Sequence, residues 1–90
     1  MRTIEVKVIN RSGLHARPAA RFVQLAMRFK SNIMICKESS CVDAKNILKV
    51  LSLGVDCGDL VIIKTNGPDE DEALKHLLDL LQNVLPSEDR

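Results

Sequence analysis

The spacing of apolar residues changes several times along this 90-residue chain, and each change marks an element. Ile4, Val6 and Val8 alternate with Glu5 and Lys7, the period of two expected of a strand with one buried face. Asn10-Arg11-Ser12-Gly13 is turn-forming. The period then becomes helical. Ala19, Phe22, Val23, Ala26 and Phe29 fall on one side, while Arg21, Gln24 and Arg28 fall elsewhere. Pro18 is tolerated in a helix only in the first turn, where its missing N–H has no partner to lose. The helix is therefore predicted to begin at Ala16, with His15 at its entrance.

Ile33 to Lys37 and Cys41 to Asp43 predict two short strands around a Glu38-Ser39-Ser40 turn. Ile47 to Leu53 predicts a helix of under two turns, capped by Asn46 and stopped by Gly54. Val50, with Ile47 or Leu51, supplies its buried side, which turns Leu48 outward. Leu60 to Thr65 predicts a strand. A last helix is predicted from Asp69 to Val84, with acids at its positive end and a stripe of Ala73, Leu74, Leu77, Leu78, Leu81 and Leu85. Pro86-Ser87-Glu88-Asp89-Arg90 is expected to fray. The order is βαββαβα. It predicts an α+β fold, a four-stranded antiparallel sheet with three helices on one face, formed by residues 1–90 as a single domain.

Hydrophobic residues make up 46% of the chain but aromatic ones only 2%, so the core must be aliphatic. Thirteen basic residues nearly cancel twelve acidic ones, which argues against a nucleic-acid partner, as does the lack of aromatics on which bases could stack. The start of the chain lacks the apolar stretch of a signal peptide, and no apolar run approaches the roughly 20 residues of a membrane span. A cytoplasmic location without membrane insertion is expected. Cys36, Cys41 and Cys57 are expected as free thiols there, although Cys36 and Cys41 can face each other across the hairpin and close under oxidation. Their spacing is not that of a zinc site, and no metal is expected. His76, between Lys75 and Leu77 in the last helix, is expected to be merely solvated.

The chemistry concentrates in Gly13-Leu14-His15-Ala16-Arg17-Pro18-Ala19-Ala20. A helix N-terminus offers unpaired N–H groups and a partial positive charge, both suited to an anion. Imidazole there can carry a phosphoryl group as well as bind one. The neutral ring is the nucleophile, and the positive helix end disfavours imidazolium. Arg17 can add a bidentate charged contact, and Ala19 and Ala20 leave room around the ring.

This segment, with Val42-Asp43-Ala44-Lys45-Asn46-Ile47-Leu48-Lys49-Val50-Leu51-Ser52-Leu53-Gly54 at matching separation, resembles the HPr family of histidine-containing phosphocarriers in the bacterial phosphoenolpyruvate:sugar phosphotransferase system. The resemblance covers nearly the whole chain. It implies an open-faced β-sandwich and a carrier rather than an enzyme, with no cofactor and a monomeric state. His15 would take phosphate on Nδ1 from enzyme I and pass it to an enzyme IIA for sugar uptake. Ala16 and Arg17 would bind the phosphoryl group. Ala16, Ala20, Gln24, Ile47, Leu48, Lys49, Leu51 and Ser52 would form the docking surface. Asn46 stands where many Gram-positive relatives carry a regulatory serine. It keeps the helix cap but has no hydroxyl to phosphorylate. A nitrogen-linked or other regulatory phosphorelay is therefore an alternative circuit. A small metal- or ligand-binding module is the alternative from another class, though His15 and Arg17 occupy the loop–helix mouth where such a module would place cysteines.

Overall fold

A computed structural model describes residues 1–88. Four strands, β1 (Arg2–Lys7), β2 (Asn32–Lys37), β3 (Ser40–Asp43) and β4 (Leu60–Asn66), form one sheet in the order β1-β4-β2-β3. Every neighbouring pair is antiparallel. The helix α1 (Ala16–Ala26) carries the chain from β1 over to β2, leaving room for β4 between them. Val6 lies opposite Val61, and Ile35 opposite Ile63, so alternate residues of each strand share one buried face. Phe22, Val23 and Ala26 of α1 and Leu77 of α3 (Glu70–Asp79) join the same core. Glu5, Ile62 and Lys64 lie on the other, open face, which matches the predicted class.

The helix α2 (Ile47–Ser52) buries only Val50. Ile47 and Leu51, either of which was expected to complete its buried side, are 36% and 37% exposed. With a single buried residue, six residues of helix can leave the rest of their apolar surface facing out.

Two expectations are corrected. The chain does not fray after Val84. From α3 it continues through a π-helical turn, Leu80–Val84, into α4 (Leu85–Glu88). Pro86 cannot take part in an ordinary α-helical ladder, and the wider turn falls directly before it. Leu85 is buried, and Arg21 donates to the Glu88 carboxylate, so the segment is tied to α1. The rest of the expected tail, Asp89 and Arg90, lies outside the described residues. The second correction concerns the thiols: Cys36 and Cys41 form a disulfide. They are direct partners in the β2–β3 register, with Cα atoms 4.0 Å apart, so the hairpin itself brings the sulfurs together. Among the described residues Cys57 is the one free thiol, and it is exposed.

Candidate functional site

The loop before α1 is held by its own residues and by the chain segment after α2. The Asn10 side-chain amide donates to the Gly13 carbonyl at 2.8 Å, and the Gly13 N–H donates to the Asn10 carbonyl at 3.1 Å. Leu14 is fully buried and donates its N–H to the Val55 carbonyl at 2.9 Å. Gly13 has φ +64°, and a Cβ there would collide with the Val55 carbonyl and lie 2.8 Å from the Asp56 Cα. Only glycine lets the two segments lie this close.

His15 follows as the N-cap position of α1, in extended conformation at φ −123°, ψ 157°. Its side chain makes no capping hydrogen bond, so the ring does not occupy the N–H groups of the first turn. Ala16 has φ +51°, in the left-handed region that costs a non-glycine residue roughly 1–2 kcal/mol. The neighbouring constraints enforce it: Leu14 is anchored in the core on one side, and buried Pro18 is fixed in helical geometry on the other. The sequence shows the helix start at Ala16, but nothing in an alanine announces a positive φ.

The His15 ring is 43% exposed, and its Nε2 lies 2.7 Å from Asp56 Oδ1. Arg17 is exposed and bonds to none of the described residues. A shallow cleft beside the helix start is lined by Ser12, Ala16, Arg17, Pro18, Arg21, Leu85 and Glu88. The expected site residues His15, Ala16 and Arg17 therefore come together around one open, cationic helix mouth. Asp56, Arg21 and Glu88 were not foreseen. Arg21 stands further along α1 itself, whereas Asp56 and Glu88 reach the site from distant parts of the chain, 41 residues from His15 in the case of Asp56.

Of the residues expected to dock partners, Ala16, Ala20 and Gln24 lie four apart along α1, and Gln24 is exposed. The two helices α1 and α2 pack against one another. On α2, Leu48 is 75% exposed, and with Ile47 and Leu51 it leaves an apolar patch uncovered. Lys49 and Ser52 are also exposed, and the Ser52 hydroxyl donates to the Lys49 carbonyl at 2.7 Å. Asn46 caps α2 as expected, accepting the Lys49 N–H at 3.2 Å. His76 sits 3.5 Å from the Glu72 carboxylate with its ring tilted against Phe29, which gives it a local structural role. Among the described residues no group of three or more His, Cys, Asp and Glu side chains could hold a metal ion.

A family model described as the PTS HPr component phosphorylation site matches residues 2–83. The chain belongs to the HPr family. It is thus a phosphocarrier and not an enzyme. It is 43% identical to the phosphocarrier protein HPr of Treponema pallidum over 83 residues, 92% of this chain and 94% of that protein. It is 44% identical to the HPr-like protein Crh of Bacillus subtilis over 78 residues, 87% of this chain and 92% of that one. The crystal structure of HPr from Thermoanaerobacter tengcongensis superposes with a TM-score of 0.90 at 45% identity, covering 91% of this chain and 92% of the other. No helix among the described residues is long and apolar enough to cross a membrane.

Proposed function

We propose that His15 is the phosphoryl acceptor of a single phosphocarrier domain spanning residues 1–90. In this reading it takes the group from enzyme I and delivers it to an enzyme IIA for sugar uptake. The observation that carries it is the joint placement of His15 and Arg17. An imidazole stands at the open N-terminus of α1, which it does not cap, and beside it is a guanidinium with no partner among the described residues. The first-turn N–H groups and Arg17 suit three phosphoryl oxygens, and the ring supplies the nucleophilic nitrogen. Transfer of this kind depends on positioning and charge stabilisation, so these few groups suffice. The apolar patch of Ile47, Leu48 and Leu51 beside α1 supports a docking surface on which successive partners alternate. The protein would act as a cytoplasmic monomer.

Asn46 supports a circuit without serine control at the cap of α2, because a carboxamide cannot form a phosphate ester. The histidine relay is unaffected by that residue, and a regulatory phosphorelay would use the same site.

Incubation with enzyme I and phosphoenolpyruvate tests the reading by intact mass. One added phosphate is expected, labile to acid and stable to base as a phosphoramidate should be. His15→Ala should remove it and leave the fold intact, since the ring makes its contacts at the surface. Phosphate persisting in His15→Ala, at His76 or elsewhere, overturns the assignment.

A further inference from the structure

We propose that Asp56 is a positioning residue for phosphoryl transfer, holding the Nε2 proton of His15 so that Nδ1 presents the lone pair. This rests on the reading of His15 as acceptor. Oδ1 of Asp56 lies 2.7 Å from Nε2. A carboxylate only accepts hydrogen bonds, so Nε2 carries the hydrogen. A neutral imidazole has one N–H, which leaves Nδ1 bare. A hydrogen bond at one ring nitrogen sets the chemistry of the other in just this way in metal sites and in serine-protease triads.

The step balances without any proton leaving His15. The Nδ1 lone pair forms the N–P bond while the donor's bond to phosphorus breaks and its electron pair departs with the donor. The ring, now bearing phosphoryl on Nδ1 and hydrogen on Nε2, is formally cationic, and it lies between the phosphoryl oxygens and the Asp56 carboxylate. When the group moves on, the N–P bond breaks and the pair returns to Nδ1. The leaving group is then neutral imidazole. Loss of the Nε2 proton would make it an imidazolate, a far poorer leaving group, and Asp56 keeps that proton in place.

The backbone that carries this carboxylate is held in place. The Asp56 N–H donates to Asp59 Oδ2 at 2.8 Å, and that oxygen also pairs with the Lys37 ammonium at 2.9 Å. Lys37 in turn donates to the Gly54 carbonyl at 2.6 Å. On the other side Gly13 lies directly against Val55 and Asp56. Asp56 itself is 70% exposed, so its pair with His15 contributes little to the fold. Its effect lies in orientation, and it strengthens when a docked partner excludes water.

The test combines ring-nitrogen NMR with single-turnover transfer. In the unaltered protein with a neutral ring, hydrogen is expected on Nε2 and a bare Nδ1. Asp56→Ala should let the ring sample both tautomers and slow uptake and onward transfer about tenfold. Asp56→Asn retains an acceptor oxygen, so it should restore the tautomer and part of the rate. Hydrogen on Nδ1 in the unaltered protein overturns the proposal, as does an unchanged tautomer or an unchanged rate in Asp56→Ala. A slower rate without a tautomer change would place Asp56 in docking and overturn it too. If the unaltered protein takes phosphate on His15, these failures concern Asp56 alone. If it takes none there, both readings fall.

Discussion

Arg17 is a cation with nothing to neutralise it among the described residues, two positions after His15. Keeping a guanidinium uncompensated makes sense where an anion arrives and charge peaks in the transition state. Arg17→Ala should therefore slow phosphoryl transfer by roughly 100-fold while affinity for enzyme I changes little. Rapid-quench kinetics over a range of enzyme I concentrations separates the two, and full rescue by excess enzyme I would contradict the role. This pair was legible in the sequence because Pro18 dates the helix start and so fixes where His15 and Arg17 must stand. Asp56 was not, because its approach depends on a close packing of two segments that only Gly13 permits. A glycine in a turn-forming run reads first as a turn. Its second function, letting another backbone in, has no mark along the chain.

At the scale of elements, α2 has too little buried surface to be explained by its own packing. It leaves Leu48 at 75% exposure beside two half-covered neighbours, next to α1. Leu48→Glu should weaken binding of both donor and acceptor proteins by about tenfold, the equivalent of roughly 1.4 kcal/mol, because a carboxylate resists burial in an interface. Melting temperature should barely move, since the side chain already faces water. Calorimetric titration alongside a thermal melt checks both, and an unfolded variant would show that Leu48 belongs to the core. The outward direction of Leu48 followed from the cap at Asn46 and the stop at Gly54, which together set the helix register. The Cys36–Cys41 bond and the helical run through Glu88 did not follow. That the two cysteines face each other across the hairpin was legible, but their spacing along the chain leaves thiol and disulfide both open, and only the direct pairing of Cys36 with Cys41 in the register brings the sulfurs to bonding distance. The second depends on Leu85 finding the core and Glu88 finding Arg21, against the local preference of proline to end a helix.

The whole molecule is closed by a junction between the start of β2 and the start of α3, far apart in sequence. Asp69 accepts the Ser31 hydroxyl at 2.5 Å, the Ser31 N–H at 2.9 Å and the Lys30 N–H at 2.9 Å. Gly67 permits the approach, because a Cβ there would stand 2.6 Å from the Ser31 Cα. The Ser31 hydroxyl, with help from the two N–H groups, lowers the Asp69 carboxyl from its ordinary 3.8 to about 2. A lowered folded-state value means the ionised form favours the native state. That contribution is fully present above the ordinary value and is lost as pH falls through about 2. Asp59 and Glu70, also held below the usual carboxylate range by backbone N–H groups, act in the same direction, so acid weakens the fold at several points. Comparison with Asp69→Asn isolates this one. The variant keeps an acceptor oxygen but no charge, so it should be less stable than the unaltered protein at neutral pH. The gap should narrow across the window from 3.8 down to about 2, because there the unaltered carboxyl becomes neutral as well. Urea unfolding at closely spaced pH values measures the gap directly. Two parallel stability curves through that window would show that the carboxylate charge does not hold this junction together.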